Sequence, residues 1–94
     1  AVFAYSDLVA IGLMQALMEE GVKIPEDISL VGYDDIEFSA YTKVPLTTVR
    51  IPKRELGREA VQLLLKRFGS GACFKARAKK VPVELVVRKS ARRG

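Results

Sequence analysis

The chain opens with a short apolar segment that leads directly into a helical pattern. Val2 to Tyr5 is typical of a short strand. The next two residues, Ser6 and Asp7, are both favoured N-cap types, and either can begin a helix. We predict this helix from about Asp7 to Glu20, because Gly21 then supplies a stop signal.

The first predicted helix is apolar nearly all round. Between Leu8 and Met18, nine of eleven residues are apolar, and the exceptions are Gly12 and Gln15. A helix that covers one face of a sheet needs only one apolar stripe, so this pattern predicts burial on two sides. One side would meet the sheet. The other would meet a second lobe or a second subunit, because an exposed apolar patch of this size is a liability.

Two further strands follow this helix. Ile28–Val31 is a buried strand that ends at Gly32, and with the first strand and helix it predicts a right-handed βαβ unit with parallel strands. The segment "LTTVR" predicts a third strand, because its Thr-Thr-Val run is β-branched. The pattern leaves open whether this third strand is also parallel.

A second helix and a closing strand complete the pattern, which indicates an α/β fold with a partial doubly wound, mainly parallel sheet. Pro52 is suited to a first helical turn, and the helix should continue to about Phe68. Its apolar stripe predicts one covered face and one solvated face. Residues 69–78 predict a loop, and residues 79–90 a strand whose Pro82 favours a sheet edge. The stripe consists of Leu56, Ala60, Leu63, Leu64 and Phe68.

Composition limits the size and the chemistry of the unit. The 94 residues are 49% hydrophobic, which fits one small globular unit, and the opening "AVFAYS" reads as a strand in progress, so we expect a piece of a longer protein. There is one cysteine, Cys73, and no histidine. We interpret Cys73 as a passive thiol in a loop. Without a nucleophile–base pair, a metal cluster or a phosphate loop, we expect neither an enzyme nor a cofactor.

The charge is distributed unevenly along the chain. Residues 1–49 contain two basic and eight acidic residues, whereas residues 50–94 contain fourteen basic and three acidic ones. Such asymmetry can indicate a nucleic-acid or acidic partner. We favour solvated faces on part of a larger protein, because the basic positions lack the interleaved aromatic residues of a single-strand-binding surface.

Polar residues at the predicted strand ends are the candidate site. In open parallel sheets, ligands bind beyond the carboxyl ends of the strands. Ser6 follows the first strand, and Tyr33, Asp34 and Asp35 follow the second after Gly32, which would let the backbone turn sharply. A carboxylate can accept hydrogen bonds from adjacent sugar hydroxyls, and an aromatic ring can cover the apolar side of a sugar. Alternatively, the two acids begin a short helix, and Ser6 is only a helix cap.

A resemblance to a known family bears on these alternatives. The ordered set "GVKIPEDISLVGYDD", "PLTTV" followed by Pro52, Leu56 and Gly57, and "VELVVRKS" resembles the C-terminal lobe of LacI/GalR-type bacterial transcription regulators. The resemblance implies part of a periplasmic-binding-protein-like effector domain. It also implies that the helix-turn-helix and the N-terminal lobe are not among residues 1–94.

The resemblance also assigns expected roles to individual residues. Asp34 matches the aspartate with which the family contacts its effector, a sugar or a nucleobase, and Ile51 matches a pocket-lining position. Ser6 stands where many members carry an effector-binding asparagine, so the shorter hydroxyl side chain departs from the family pattern. The first helix would form a homodimer interface, for which the candidates are Leu8, Ile11, Gln15 and Met18.

The resemblance implies a cytoplasmic repressor that has no membrane partner and binds operator DNA through the helix-turn-helix outside this chain. Effector binding would bias lobe closure and, through the dimer, the spacing of the DNA-reading heads. Two other functions remain open at this point. The chain could belong to a periplasmic sugar-binding transport protein with the same fold, or it could bind nucleic acid through its basic half.

Overall fold

The computed structural model describes residues 1–70 and 80–92 of the chain. The described residues divide into two compact units, residues 1–50 with the segment from 84 onward, and residues 51–83. In chain order the elements are β1 (Val2–Phe3), α1 (Asp7–Glu19), β2 (Leu30–Val31), a short 3₁₀ helix (Glu37–Ala40), β3 (Thr48–Arg50), α2 (Lys53–Ser70) and β4 (Glu84–Val86).

The first unit contains a mixed sheet in which β1, β2 and β3 run parallel. β1 pairs with β2, with Phe3 opposite Val31. Parallel bridges then join the β2 segment to the β3 segment, between Val31 and Thr47 and between Asp34 and Arg50. The orientation of the third strand, which the sequence left open, is therefore parallel, and the carboxyl ends of all three strands lie at one edge.

The closing strand is shorter than predicted and pairs antiparallel with β3, with Arg50 opposite Glu84. Pro82 precedes this strand and does not interrupt it. Among the described residues β4 pairs with β3 alone, which agrees with the edge position that the sequence indicated. The α/β class with a mainly parallel sheet is confirmed.

Helix α1 covers one face of the sheet and begins at Asp7, because the Ser6 hydroxyl accepts a 3.2 Å hydrogen bond from the Val9 amide. The small core contains Ala4, Ala10, Met14, Ile24, Leu30 and Leu46. The opposite side of α1 is open, and Leu8 is 72% exposed. Among the described residues, then, one side of α1 is covered, and the cover of the other side by a second lobe or subunit stays a prediction.

Helix α2 belongs to the second unit and extends two residues beyond the predicted end. Its apolar stripe is exposed at Leu56, Leu64 and Phe68, so the described residues do not supply the predicted cover of that face. Most of the predicted loop, including Cys73, lies outside the described residues. Neither of the helices in the described ranges has the length and apolarity that a membrane crossing requires.

Candidate functional site

Backbone hydrogen bonds bring the ends of the three parallel strands together. The Asp7 amide donates to the Tyr33 carbonyl at 3.0 Å, which joins the end of β1 to the end of β2. The Asp34 amide donates to the Val49 carbonyl at 2.9 Å, which joins the end of β2 to β3. The predicted residues Ser6, Tyr33 and Asp34 therefore lie along one edge of the sheet.

Asp34 has a backbone conformation that non-glycine residues seldom adopt. Its φ is 131°, and that of Asp35 is 58°. Conformations of this kind cost about 1–3 kcal/mol each and persist where the surrounding contacts enforce them. Strained residues of this sort cluster at functional sites, which makes Asp34 a candidate for reasons independent of its carboxylate.

Asp7, which sequence analysis treated only as a possible helix cap, is completely buried. Its Oδ2 accepts hydrogen bonds from the Ile36 amide at 2.9 Å and the Ser39 hydroxyl at 2.5 Å, and its Oδ1 accepts one from the Thr48 hydroxyl at 2.6 Å. A buried carboxylate needs such partners, because burial without them is costly. We call these four residues the Asp7 cluster. No local pattern marks this cluster in the sequence, because Ser39 and Thr48 lie 32 and 41 positions from Asp7.

Gly32 has a different role from the predicted one. Its φ does not lie in the left-handed region, and the positive φ values of this turn belong to Asp34 and Asp35. A Cβ atom at this position would collide with the Asp7 carboxylate and come within 2.9 Å of the Leu46 side chain. Glycine is required because the buried carboxylate approaches the backbone closely.

Asp35 is a structural anchor and does not cap the 3₁₀ helix. Its carboxylate binds Arg50 Nε at 2.7 Å and Arg88 Nη2 at 2.9 Å, and its side chain is 9% exposed. Burial raises the pKa of Asp35, but the hydrogen bonds and charges of the two arginines outweigh this effect and hold the pKa below its usual value. The interpretation of Asp34 and Asp35 as the start of a short helix is therefore wrong for Asp35, since the carboxylate that binds the Ile36 amide is that of Asp7.

Ser6 is the N-cap of α1, as one of the two interpretations predicted. Its hydroxyl oxygen accepts from the Val9 amide, and the hydroxyl proton remains able to donate to another group. The cap and a ligand contact are chemically compatible.

The remaining two candidates, Tyr33 and Ile51, belong to different units. Tyr33 is 37% exposed, and its ring lies 6.5 Å from that of Phe3 in a tilted arrangement. Ile51 follows β3 directly in sequence but belongs to the second unit. The structure therefore brings Ser6, Tyr33 and Asp34 to one edge of the first unit, and the pocket-lining role of Ile51 stays a prediction.

The four dimer candidates lie along α1 at helical spacing. Leu8 and Gln15 are exposed, and Ile11 and Met18 are half-buried. Ile11, Gln15 and Met18 line a groove of about 420 Å³. Its other lining residues are Met14, Glu19, Thr42 and Lys43.

Almost the whole chain matches a known family model. Residues 1–91 match the periplasmic binding protein-like domain. The chain is 54% identical over 68 residues to the HTH-type transcriptional repressor PurR of Vibrio atlanticus, a match that covers 72% of this chain and 20% of the relative. It is 51% identical over the same length to the ribose operon repressor of Haemophilus influenzae. The chain thus spans about a fifth of the length of these relatives.

Solved structures give the same result. A LacI family transcriptional regulator from Enterococcus faecium with bound ribose is 41% identical, with a TM-score of 0.83 over 96% of this chain and 33% of its own. A complex of the transcriptional regulator CelR with cellobiose is 34% identical, with a TM-score of 0.89 over 96% of this chain and 27% of its own. The chain belongs to the periplasmic binding protein-like domain family, within the LacI/GalR group of transcription regulators.

Proposed function

We propose that the chain is the effector-binding and dimerisation lobe of a transcriptional repressor, and that its effector is a sugar. The observation that carries the proposal is the convergence of Ser6, Tyr33 and Asp34 at the carboxyl edge of three parallel strands. This is the edge at which open α/β sheets bind ligands. The relatives support the ligand class, because the regulators of similar structure include one with bound ribose and one with cellobiose.

In this proposal each residue has a chemical task. Asp34 accepts hydrogen bonds from two adjacent sugar hydroxyls, which an ionised carboxylate can do with both oxygens. Ser6 donates its hydroxyl proton to a ligand oxygen while it continues to cap α1. Tyr33 covers an apolar side of the sugar ring.

Repression is controlled by the occupancy of this site. The effector domain has this lobe and an N-terminal lobe, which lies outside residues 1–94. The sugar binds the closed arrangement of these two lobes more tightly than the open one, so it shifts the population toward the closed arrangement. The exposed face of α1, with Leu8, Ile11, Gln15 and Met18, forms the homodimer contact. The dimer passes the change to the helix-turn-helix segments that bind operator DNA in the cytoplasm. The protein has no catalytic step in this scheme.

Two alternatives have less support. A transport-type sugar-binding protein is disfavoured, because the relatives are named as repressors. Direct nucleic-acid binding through the basic half is disfavoured because some of its cations are engaged internally: Arg50 and Arg88 both bind Asp35.

The experiment that tests the proposal is calorimetric titration of the intact protein with D-ribose, D-glucose, cellobiose, adenine and guanine. The proposal predicts saturable binding of at least one sugar and none of either nucleobase. Binding of a nucleobase but of no sugar would contradict the proposed sugar effector and would identify a nucleobase as the ligand of this site. Absence of binding across the panel would contradict the proposed effector.

A further inference from the structure

Asp7 holds both ends of the segment that carries Asp34. Its amide donates to the Tyr33 carbonyl at 3.0 Å, immediately before Asp34. Its carboxylate accepts from the Ile36 amide at 2.9 Å and from the Ser39 hydroxyl, on the other side of Asp34. One residue at the start of α1 therefore fixes residues 33–39 at three points.

The same carboxylate is fixed to the strand that holds the Asp34 backbone. Oδ1 accepts from the Thr48 hydroxyl at 2.6 Å, and the next residue, Val49, accepts the Asp34 amide at 2.9 Å. Asp7, Ser39 and Thr48 are all completely buried. Among the described residues no buried side-chain polar atom lacks a hydrogen-bond partner, so the Asp7 cluster is fully satisfied. Such a network defines one geometry and disfavours others.

The strained backbone of this segment explains why it needs the hydrogen bonds of Asp7. Asp34 and Asp35 both have positive φ values, of 131° and 58°. A turn of this kind returns to a more common conformation when its contacts are removed. The Asp7 cluster supplies contacts on one side of the turn, and the ion pairs of Asp35 with Arg50 and Arg88 supply them on the other.

We propose that Asp7 is a positioning residue for effector recognition: through the Asp7 cluster it holds the backbone of residues 33–39 in the one conformation from which Asp34 binds the sugar. Asp7 itself does not contact the effector, because its carboxylate is completely buried and its oxygens are occupied. The inference rests on the proposed function, since it takes Asp34 as the effector-binding residue.

The most informative variant is Asp7→Asn, which keeps the side-chain volume. An amide has one oxygen that accepts and one nitrogen that only donates, so it cannot accept from all three partners in the present geometry. The matched control is Asp27→Asn. Asp27 also accepts a backbone hydrogen bond, from the Lys23 amide at 2.9 Å, but it lies in an exposed loop away from the strand ends.

The experiment measures two quantities in the intact protein. The first is the dissociation constant for D-ribose by calorimetry, at a temperature where urea denaturation shows the variant to be folded. The second is hydrogen–deuterium exchange of the amides of residues 33–39 without ligand. We expect Asp7→Asn to weaken binding about tenfold, as when a displaced Asp34 loses one hydrogen bond to the sugar, and to speed exchange in this segment. Asp27→Asn should change neither.

A double variant separates positioning from general damage. If Asp7 acts through Asp34, then adding Asp7→Asn to Asp34→Asn should weaken ribose binding by much less than it does in the wild type, because coupled residues are not additive. Full additivity would contradict the proposal. Wild-type affinity in Asp7→Asn, or unchanged exchange in residues 33–39, would overturn it.

A second pair of variants covers the case in which Asp7→Asn does not fold. Thr48→Val removes the hydroxyl, and Thr48→Ser keeps it. Positioning predicts weaker ribose binding and faster exchange in the first and wild-type behaviour in the second. Equal behaviour of the two would overturn the proposal. If the wild type binds none of the sugars, the proposed function fails, but the exchange measurement still decides whether Asp7 holds this segment.

Discussion

Arg88 Nη2 lies 2.9 Å from Asp35 Oδ1, and this ion pair joins residues that are 53 positions apart in the chain. Arg88 also donates to the Leu46 carbonyl at 2.9 Å. It therefore joins the turn that contains Asp34 and Asp35 to the segment that enters β3. Asp35 binds Arg50 in addition. The acidic first half and the basic second half of the sequence are thus joined within the first unit.

Stability should depend on the ionisation of Asp35. Its pKa is lower in the folded protein than its usual value of 3.8, so the stabilisation is fully present above that value and is lost as the pH falls through the folded pKa. We predict that Asp35→Asn lowers the free energy of unfolding by about 1–3 kcal/mol at pH 7, the range for hydrogen bonds to charged groups.

The measurement is urea denaturation at a series of pH values between 7 and 2. The difference in stability between wild type and Asp35→Asn should shrink as the pH falls below about 4, the unfolded-state value. A difference that is constant over this range would show that the ion pairs do not stabilise the fold.

Ser90 should be important for the stability of the sheet. Its completely buried hydroxyl donates to the Leu30 carbonyl and accepts from the Thr47 amide at 2.8 Å, so it connects β2 to the segment that enters β3. We predict that Ser90→Ala lowers the free energy of unfolding by about 1–3 kcal/mol, because two buried backbone groups lose a partner.

The matched control for Ser90 is Ser29→Ala. The Ser29 hydroxyl accepts one exposed hydrogen bond, from the Arg92 amide at 3.0 Å. Its loss should change stability by no more than about 0.5 kcal/mol. Both values follow from urea denaturation of the intact protein, and equal effects of the two substitutions would contradict the role given to Ser90.

Gly32→Ala should destabilise the protein. The added methyl group would meet the Asp7 carboxylate and the Leu46 side chain, and overpacking of this kind costs about 1–3 kcal/mol. Gly57→Ala, in helix α2, is the control, because nothing lies within 4 Å of the added atom. That change should stabilise the helix by about 0.5–1 kcal/mol. Thermal unfolding of both variants gives the sign of each effect, and a stable Gly32→Ala variant would rule out the close approach of Asp7.

Leu8→Glu should weaken the proposed homodimer. Leu8 lies on the open side of α1 and is 72% exposed, so a charge there is tolerated by the single chain but not by an apolar interface. We predict that sedimentation equilibrium of the intact protein gives a dimer dissociation constant raised about tenfold or more. Glu26→Lys, on an exposed loop, should leave the dimer unchanged. A Leu8→Glu variant that dimerises like the wild type would exclude this face of α1 from the interface.

The sequence predicted the elements whose signals are local. An N-cap at Ser6 or Asp7, the helix that ends before Gly21, and the βαβ unit all depend on residues that are close in the chain. The structure confirms them, with Ser6 as the cap. The edge of the sheet at which the candidate residues meet could also be predicted, because the first two strands were predicted to be parallel. The orientation of β3 did not, because parallel pairing depends on contacts between distant segments.

The contacts that fix the turn at Asp34 and Asp35 could not be predicted from local patterns in the sequence. Asp7 has the residue type of a helix cap, and its actual partners Ser39 and Thr48 are 32 and 41 positions away. Asp35 has the residue type of a helix start, but its partner Arg88 is near the end of the chain. Hydrogen bonds and ion pairs between such distant residues leave no periodic signal in the sequence, and only the folded arrangement shows them.

The most direct test of the account is calorimetric titration of the intact protein with D-ribose and the other sugars of the panel, for the wild type, Asp34→Ala and Asp27→Ala. We predict that Asp34→Ala weakens sugar binding about a hundredfold or more, since in the proposed site the carboxylate accepts two hydrogen bonds from the sugar. The unfolding transition should remain cooperative, and Asp27→Ala should bind like the wild type. Undiminished sugar binding by a folded Asp34→Ala variant would contradict the account, because the strained aspartate at the strand end would then have no part in recognition.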